Sequence, residues 1–520
     1  MNKQYKIGID IGGTNTDAVL VDDSQKIVAA AKTLTTTDIH SGFRLALEKL
    51  QKEIAFTPDC VRAVFMGTTH ATNAILQCHD LFSVGVIRLA GHRPDVLPPC
   101  YGWPDRLKAA IYRGYASVGG GFECHGGSIT PFNRFEVEEA CYRLLEQGAE
   151  SIAVVGVFAP IDGTQELETL ECIQKVGGMD FPVSLSHQVG GIGFVERENS
   201  TILNAALRKV MSRGFNNLKA ELQSLNMRCP LFITQNNGSL ITLEKAREYP
   251  VLTISAGPTN SFIGGTKLGN LRDAIVVDVG GTSTDVGVVR QGFPRRSLNK
   301  SNIGGVSLNF PMPNVLSVGL GGGSYIHGPD SGGFLSIGPQ SVGCRIFQEA
   351  QSFGGNQLTF TDIALALGHL SIAGAHPKRA SISQDTLKVV MKSAAQQVQQ
   401  LVAAIDAGHH QLPVIMVGGG AQLFTQEVLD ARYVFPEHAN IANAYGAALA
   451  EISGVIDTVV SLQQREEVLK KIQQRAQELA VENGADKNAV RTVNIEIIPY
   501  HYVPNSMARV IITAAGPQCS

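Results

Sequence analysis

The sequence predicts an α/β protein built from two similar halves. The first observation behind this prediction is an internal duplication, because residues 8–22 read GIDIGGTNTDAVLVD and residues 276–289 read VVDVGGTSTDVGVV. The second is the alternation of strand-like apolar runs, such as Ser151 to Phe158, with helix-like stretches, such as Glu136 to Gln147. A chain of 520 residues is also long enough for two or three domains.

The composition excludes several classes of protein. With 44% apolar and 17% charged residues, most of the chain is predicted to fold rather than remain disordered. Its 43 Lys and Arg residues against 46 Asp and Glu residues leave no basic excess for nucleic-acid binding. The best apolar run, Ile152 to Ala159, is far shorter than the roughly 18 residues of a membrane span. Nine cysteines without a Cys-x-x-Cys pair, and an N-terminus without a signal-like apolar core, predict a cytoplasmic location.

Each copy of the duplicated motif predicts a β-hairpin with glycines in its turn. A β-branched strand ends in an aspartate, Gly-Gly-Thr-x-Thr-Asp follows, and a second β-branched run begins. One such hairpin alone is equally well explained by a tight turn, but two copies with the same acidic and hydroxyl residues favour an anion site. The first copy contributes Asp10, Gly12, Gly13, Thr14, Asn15 and Thr16, and the second contributes Asp278, Gly280, Gly281, Thr282, Ser283, Thr284 and Asp285.

These residue types suit a nucleotide held between the two hairpins. Glycine amides and threonine hydroxyls donate hydrogen bonds to phosphate oxygens, whereas the carboxylates would repel them. A Mg²⁺ ion removes this conflict because it bridges carboxylates and phosphates. We therefore expect Asp10 and Asp278 as metal ligands and Asp10, Asp278 and Asp285 as catalytic residues, with their individual roles open. The chain has no Gly-Lys dipeptide, which excludes a P-loop.

Further sequence blocks extend the pattern along the chain. They include MGTTHATNAIL at 66–76, FVERENSTILNAAL at 194–207, TISAGPTNSFIGG at 253–265, VIMVGGGAQLF at 414–424 and NIANAYGAAL at 440–449. Together with the two hairpins, these blocks resemble the phosphate and adenosine motifs of the actin/Hsp70/sugar-kinase superfamily. Within that superfamily, the sequence from about residue 6 to about residue 454 resembles the A subunit of the hydantoinase/5-oxoprolinase family.

The resemblance implies both a fold and a chemistry. The fold would be two actin-like (ribonuclease H-like) domains facing each other across a nucleotide cleft, with a small C-terminal α+β extension. The cofactors would be ATP and Mg²⁺, and the activity would be ATP-dependent hydrolysis of a cyclic amide, such as a hydantoin or 5-oxoproline, through phosphorylation of the amide oxygen. The expected partner is a hydantoinase B-type subunit, with a homo-oligomer as a further expectation and neither nucleic acid nor membrane.

The resemblance also adds two groups of candidate site residues. On the adenosine side these are Gly418, Gly419, Gly420 and Gln422, and on the substrate side they are Thr68, Thr69, His70 and Asn73.

The chain departs from the family pattern near the expected substrate side. Met66 and Gln165 each stand where the family often has His, and residues 344–355 replace a Pro-Gly-Pro-Ala-Cys-Tyr segment. These departures leave three alternatives open: a small-molecule kinase of the same superfamily, a nucleotide-dependent switch or assembly module, and a nucleotide binder that has lost turnover.

The sequence predicts three segments along the chain. Residues 1–189 carry the first hairpin, 190–455 carry the second hairpin and the adenosine motif, and 456–520 form a C-terminal helix and strands. The glycines at 190–193 are either an interdomain hinge or a rigid loop. Asp457 to Asn483 is predicted as one amphipathic helix, followed by half-buried strands near 493–498 and 508–513 that form either an add-on or an oligomer surface.

Three polar groups have two interpretations each. The His-His pair at 409–410 is either a metal pair or a solvated loop. The Cys-His pair at 124–125 would point to opposite faces of a strand, which argues against a nucleophile and its base. Glu196, Arg197 and Asn199 either line the cleft or belong to a buried ion pair.

Overall fold

The structure is a computed structural model that describes residues 4–13, 15–35, 39–54, 56–92, 97–124, 126–297, 301–310, 312–328, 335–377, 382–406, 412–500 and 506–519. The strands are β1 (Tyr5–Ile11), β2 (Asn15–Asp22), β3 (Ile27–Leu34), β4 (Val61–Thr68), β5 (Val84–Leu89), β6 (Tyr112–Val118), β7 (Ser151–Gly156), β8 (Val183–Leu185), β9 (Leu231–Thr234), β10 (Ser239–Thr242), β11 (Ala274–Val279), β12 (Thr284–Arg290), β13 (Phe293–Pro294), β14 (Ser301–Ile303), β15 (Val306–Leu308), β16 (Val315–Val318), β17 (Ser324–His327), β18 (Ser336–Ser341), β19 (Val414–Val417), β20 (Tyr433–Val434), β21 (Glu451–Ser461), β22 (Arg491–Pro499) and β23 (Met507–Gly516).

The α-helices are α1 (Ile39–Glu53), α2 (His70–Gln77), α3 (Asp105–Ile111), α4 (Arg134–Glu146), α5 (Thr164–Gly177), α6 (Ser186–Val189), α7 (Phe194–Ser224), α8 (Leu243–Glu248), α9 (Ala256–Leu268), α10 (Ile346–Glu349), α11 (Phe360–Leu367), α12 (Gln384–Ile405), α13 (Ala442–Leu449) and α14 (Arg465–Glu482). The predicted helix at 136–147 corresponds to α4, and the predicted buried strand at 151–158 corresponds to β7.

Three of the sheets organise the molecule. The largest has nine strands in the order β22-β23-β21-β10-β9-β4-β1-β2-β3. A second sheet runs β13-β12-β11-β19-β20, with β16 also paired to β12. A four-stranded sheet, β6-β5-β7-β8, is parallel throughout, and its central strands are buried along their whole length, as expected for a sheet covered on both faces.

The register confirms the internal duplication. In the first hairpin, β1 and β2 pair antiparallel so that Asp10 lies opposite Asp17. In the second hairpin, β11 and β12 pair in the same way, so that Asp278 lies opposite Asp285. Each first strand also pairs parallel with a later strand, β1 with β4 and β11 with β19. The two hairpins are therefore equivalent in topology as well as in sequence.

Two short helices cross between the two hairpins at very close range. A Cβ on Gly264 of α9 would overlap the carbonyl oxygen of Ala442 in α13, and a Cβ on Gly446 of α13 would overlap the carbonyl oxygen of Asn260 in α9. Glycine at these positions lets the two backbones touch. Helix α13 also lies against β1, where a Cβ on Gly8 would overlap the carbonyl of Ala444. The crossing thereby carries polar side chains of both helices toward the hairpins.

The prediction of a single helix over 457–483 is wrong at its start. Residues 451–461 form strand β21, and the helix begins only at Arg465. The reason is local, since the segment Val455-Ile456-Asp457-Thr458-Val459-Val460 is rich in β-branched residues, which suit a strand. The two predicted C-terminal strands are confirmed as β22 and β23, and through β21 they extend the nine-stranded sheet.

Strand pairing does not follow the three predicted segments. Strands β9 and β10 of the second segment, and β22 and β23 of the third, lie in the same sheet as the first hairpin. The division into 1–189, 190–455 and 456–520 stays a prediction about folding units. Within the described residues, no helix has both the length and the apolar character that crossing a membrane requires.

Candidate functional site

The first hairpin carries a buried pair of carboxylates. Asp10 is 4% exposed, and its two oxygens accept hydrogen bonds from the side-chain amides of Asn260 at 3.2 Å and Asn443 at 3.1 Å. The Asn443 amide also donates to Asp17 at 3.0 Å. Burial, together with the negative charge of Asp17, raises the pKa of Asp10 to about 6. The crossing helices α9 and α13 thus hold this carboxylate from both sides.

The second hairpin carries the matching pair, Asp278 and Asp285. Burial raises the pKa of Asp278 to about 7 against a lowering hydrogen bond from Ser261, and the charges of Asp285, Asp10 and Asp17 raise it further. Because the charges of Asp10 and Asp17 act on Asp278, the two hairpins lie near each other. Burial also raises the pKa of Asp285, which accepts a hydrogen bond from the Ser317 hydroxyl.

The two hairpins differ at one position on the strand beside them. On β3, Lys32 lies directly opposite Asp17, and its ammonium is 2.7 Å from the carboxylate. On β16, Ser317 lies opposite Asp285 at the corresponding place. The first hairpin therefore has a cation beside its second carboxylate, whereas the second hairpin has a hydroxyl there.

Lys32 also connects the first hairpin to the predicted adenosine side. Its ammonium donates to the carbonyl oxygen of Asn440 at 3.1 Å, and a Cβ on Gly419 would lie 3.6 Å from it. Gly419 and Gln422 are exposed. Gly418 packs on the carboxylate of Asp278, where a Cβ would overlap it, and the amide of Gly420 donates to Val279 at 2.7 Å. The 418–420 loop therefore abuts both hairpins.

The predicted phosphate donors fall into two groups. Some are used within the fold: the amide of Gly12 donates to Asn15 at 3.0 Å, the amide of Gly280 donates to Ser283 at 2.8 Å, and the buried Thr284 hydroxyl donates to Leu320 at 2.6 Å. Thr16 is fully buried, with its hydroxyl 3.3 Å from that of Thr35.

The other group faces open space. A Cβ on Gly13 would meet no atom within 4 Å, and Thr282 is exposed at the tip of the second turn. Asn15, Gly281 and Ser283 are half-buried beside the turns, and Thr14 lies outside the described residues. A phosphate group would therefore meet the turn tips first, while the Thr16 and Thr284 hydroxyls could donate to it only after giving up their present positions.

The predicted substrate block lies beside the first turn. Strand β4 runs parallel to β1 with Thr68 opposite Ile11, and the Thr69 hydroxyl donates to the Ile11 carbonyl at 3.3 Å. The amide of His70 donates to the Thr68 hydroxyl at 3.1 Å, and Asn73 donates to the Thr69 hydroxyl at 3.3 Å. Burial lowers the pKa of His70. The block is a hydrogen-bonded edge of the cleft, with His70 neutral near pH 7.

Four residues of the site were not predicted from the sequence: Asp17, Lys32, Asn260 and Asn443. Asp17 had a usable signal, because it is the duplicate of Asp285. Asn260 and Asn443 lie in the blocks 253–265 and 440–449, but nothing in those blocks indicates that both amides reach Asp10. Lys32 had no signal, since its role depends on cross-strand pairing.

The polar groups for which the sequence allows two interpretations each lie in the following surroundings. Arg197 is fully buried and donates to backbone carbonyls of Gly191 at 3.0 Å and Ile192 at 2.8 Å, and burial lowers its pKa to about 10. Asn199 accepts a hydrogen bond from the Trp103 indole at 3.0 Å. Of the two alternatives for this group, the contacts favour a buried supporting network. Cys124 is exposed, whereas 125 and 409–410 lie outside the described residues.

The chemistry of the cleft fits a hydrated divalent cation. Burial raises the pKa values of Asp10, Asp278 and Asp285, and repulsion from neighbouring carboxylates adds to this effect at Asp10 and Asp278. In the described part of the chain, no three His, Cys, Asp or Glu side chains are arranged as a preformed metal cage. Mg²⁺ is commonly held by one or two carboxylates, water and substrate phosphates rather than by such a cage.

Comparison with known proteins identifies the family and the fold. Residues 6–177 match the model of the hydantoinase/oxoprolinase N-terminal region, and residues 197–374 match the hydantoinase/oxoprolinase model. Caprolactamase subunit alpha from Pseudomonas jessenii is 29% identical over 71% of this chain and 55% of its own length. Acetophenone carboxylase gamma subunit from Aromatoleum aromaticum is 26% identical over 70% of this chain and 53% of its own length.

A solved structure supports the fold independently. The crystal structure of the ATP-dependent caprolactamase from Pseudomonas jessenii superposes with a TM-score of 0.79 and 21% identity, covering 98% of this chain and 87% of that chain. The predicted actin-like fold class is therefore confirmed. The chain spans about half the length of the curated relatives it matches first.

Proposed function

Since this chain belongs to the hydantoinase/oxoprolinase family, we propose that it uses ATP to phosphorylate the carbonyl oxygen of a small cyclic amide, the step that precedes ring opening. The observation that carries the proposal is the set of four carboxylates, Asp10, Asp17, Asp278 and Asp285, which two duplicated hairpins direct into one space. Such an arrangement suits a nucleotide phosphate chain with its counter-ion better than it suits a neutral ligand alone.

The residues divide into binding and catalytic roles. The open turn tips at Gly13 and Thr282 are suited to the phosphates, and the exposed Gly419 and Gln422 to the adenosine. Asp10 would hold hydrated Mg²⁺, which would supply charge neutralisation at the phosphates, whereas Asp278 is the candidate for proton transfer. Asp10 suits this role because both of its oxygens are fixed by amide donors.

Asp278 and Asp285 are the candidates for moving a proton. A pKa of about 7 allows Asp278 to accept and return a proton near neutral pH. Asp285, whose cross-strand neighbour is Ser317 rather than a lysine, would orient the attacking group. Asp17 is instead engaged in an ion pair with Lys32 at 2.7 Å.

The proposed chemistry makes a poor electrophile reactive. The amide oxygen attacks the γ-phosphorus, an O–P bond forms, and the bond from that phosphorus to ADP breaks. Water then adds to the activated carbon, the ring C–N bond breaks, the nitrogen takes a proton and an acyl phosphate remains. A second water releases the phosphate. Positioning and charge stabilisation would supply most of the rate enhancement.

A partner subunit belongs to the proposal. The relatives named above are called subunits, so we infer that a hydantoinase B-type protein completes ring opening. The nine cysteines are all free, which supports a reducing, cytoplasmic location.

The proposal is tested by measuring ATP turnover against a panel of lactams, hydantoins and 5-oxoproline, with and without the partner. We expect at least one cyclic amide to stimulate ADP release, with free phosphate and a ring-opened amino acid as products. A stable phosphorylated product would instead indicate a small-molecule kinase. Slow hydrolysis that no cyclic amide stimulates would contradict the proposal and favour a nucleotide-dependent switch.

A ketone acceptor is a second candidate, because one relative is an acetophenone carboxylase subunit. The same phosphorylation of a carbonyl oxygen would then activate an enolate for carboxylation. Incorporation of labelled bicarbonate in the presence of ketones, with no ring-opened product from lactams, would favour this candidate.

A further inference from the structure

A pocket apart from the glycine turns lies where the nine-stranded sheet meets the sheet of the second hairpin. One side is formed by the β12–β13 hairpin and the residues that follow it, and the other by β22, β23 and the turn that joins β9 to β10. Its volume of about 320 Å³ is at the small end of the range of ligand pockets, so it suits a small organic molecule rather than a nucleotide.

The lining of this pocket has an excess of positive charge. Three arginines, Arg290, Arg295 and Arg296, line it together with one carboxylate, Glu496. Among the described residues, none of the three arginines forms an ion pair with a carboxylate. Glu496 instead accepts a hydrogen bond from the neutral side-chain amide of Asn494 at 2.6 Å. Three cations against one anion leave two positive charges for a ligand to balance.

Arg296 is the most buried of the three cations. Its Nη2 donates to the buried Thr513 hydroxyl at 2.7 Å, whereas its Nη1 is buried without a partner. Burial lowers the pKa of Arg296, although the charges of Glu496 and Asp457 act to raise it. A negative charge in the pocket would stabilise this guanidinium through space without having to reach Nη1, because electrostatic interactions are stronger where water is excluded.

The other two arginines are accessible and lie along the same hairpin. Arg290 ends β12, and the amide of Arg295 donates to the Val288 carbonyl at 2.7 Å, which places Arg295 two residues back along that strand. This offset corresponds to about 7 Å between the two backbones. Both arginines are exposed. Two separated guanidinium groups suit the two ends of an elongated dianion better than one compact anion.

A neutral donor faces the arginines from the nine-stranded sheet. The side-chain oxygen of Asn237 accepts from the Ser239 amide at 3.0 Å and from the Ser239 hydroxyl at 2.7 Å, which fixes the orientation of its amide group. The amide nitrogen of Asn237 has no partner among the described residues and, unlike Nη1 of Arg296, is accessible. In the same turn, a Cβ on Gly238 would lie 3.7 Å from Pro294 of β13. A ligand here would contact both sheets.

We propose that this pocket binds a small dicarboxylate, whose carboxylates pair with the arginines of the β12–β13 hairpin and accept a hydrogen bond from Asn237. The planar guanidinium group matches a carboxylate through two parallel hydrogen bonds. The ligand holds the nine-stranded sheet and the sheet of the second hairpin together. The inference goes beyond the proposed function and does not rest on it, because none of the residues that line the pocket belongs to the glycine turns.

The test measures glutarate binding by calorimetry at constant ionic strength. Pentanoate, a monoanion with the same number of carbons, and inorganic phosphate, a compact anion, are the comparison ligands. We expect the wild type to bind glutarate about tenfold more tightly than either of them, since each loses charge-assisted hydrogen bonds at one end of the pocket.

Two arginine variants locate the binding site. Arg290→Gln and Arg295→Gln should each weaken glutarate binding about tenfold, and both should fold normally because these residues are exposed. The matched control is Arg143→Gln, at an exposed residue of α4 outside the pocket, which should bind glutarate like the wild type.

Glu496→Gln provides a test of opposite sign. The substitution removes the single negative charge of the lining and keeps a side-chain oxygen to which Asn494 can donate. Glutarate should therefore bind several-fold more tightly. A merely structural role of the arginines would not produce this gain.

Three results would overturn the inference. The wild type may fail to bind glutarate, the two arginine variants may bind it as tightly as the wild type, or Glu496→Gln may weaken its binding. Phosphate that binds as tightly as glutarate would indicate a site for a compact anion and would contradict the dicarboxylate class. These measurements do not involve ATP turnover, so the proposed function is judged separately.

Discussion

Lys32 lies directly opposite Asp17 across the β2–β3 pair, and its ammonium is 2.7 Å from the Asp17 carboxylate. The duplicate of Asp17, Asp285, has Ser317 in the equivalent place. Two hairpins with nearly identical sequences are thus made electrostatically different by the strand beside each of them. The negative charge of the first hairpin is partly balanced, and that of the second is left for the ligand.

Lys32→Met should weaken Mg-ATP binding about tenfold. The substitution leaves Asp17 without its cation, increases repulsion toward phosphates, and removes the contact to Asn440 on the adenosine side. Because Lys32 is about a third exposed, we expect a loss of only about 1 kcal/mol in the free energy of unfolding. Calorimetry and urea denaturation measure the two effects. Lys26→Met, at an exposed residue of the β2–β3 turn, serves as the control, and equal nucleotide affinity in both variants would remove Lys32 from the site.

Asp278→Asn should strongly reduce turnover while stabilising the ligand-free protein. Burial raises the pKa of Asp278 to about 7, so at pH 8 the carboxylate is ionised at a cost that an amide does not carry. We expect turnover to fall by about 10² to 10⁴, as for loss of a proton-transfer group. Steady-state kinetics and denaturation at pH 8 give both numbers, with exposed Asp59→Asn as the control. Retained turnover would exclude Asp278 from catalysis.

The contribution of Asp10 and Asp278 to the stability of the ligand-free protein should rise as the pH falls from 8 to about 5. The folded-state pKa values of Asp10 and Asp278 are about 6 and about 7, above their ordinary value near 4, so the folded protein binds more protons than the unfolded chain in this range. Thermal unfolding at constant ionic strength measures the slope. The double variant Asp10→Asn, Asp278→Asn should flatten it. A slope that is unchanged in the double variant would contradict the assigned pKa values.

Gly446→Ala should destabilise the protein and weaken Mg-ATP binding, although residue 446 does not itself belong to the candidate site. A Cβ at this position overlaps the backbone carbonyl of Asn260, so α9 and α13 must separate. We expect a destabilisation of about 1–3 kcal/mol, typical of overpacking, and weaker Mg-ATP binding because Asn260 and Asn443 both hold Asp10. The control is Gly257→Ala on α9, where a Cβ would meet only Thr69 at 4.0 Å. Wild-type stability in Gly446→Ala would show that the crossing is not tightly packed.

Much of the fold could be predicted from the sequence because the patterns that specify it lie within short segments. The strand, glycine turn and strand of each hairpin are specified within about fifteen residues, and the repeat of that pattern predicted two equivalent hairpins, which the register confirms. Prediction failed at 457–461, where a β-branched run was merged with the helix that follows. What decided that segment is its pairing with β23, a contact between distant parts of the chain.

Only part of the candidate site could be predicted from the sequence, because its other interactions join residues that are distant along the chain. Asp10, Asp278 and Asp285 could be named from the motif, but their protonation could not, since their pKa values depend on burial and on one another across the cleft. The predicted roles of Thr16 and Thr284 illustrate the converse. Their hydroxyls suit phosphate binding by type, yet both are buried behind their turns.

By itself, the sequence determined the duplicated hairpins, the family and the presence of acidic and glycine-rich turns, because these follow from residue order over short distances. The tertiary structure alone decided that amides of Asn260 and Asn443, from residues 250 and 433 positions away, hold Asp10, and that Lys32 distinguishes one hairpin from the other. Hydrogen bonds and charges act through space at a few ångströms, so their partners are fixed only when the helices cross and the strands pair.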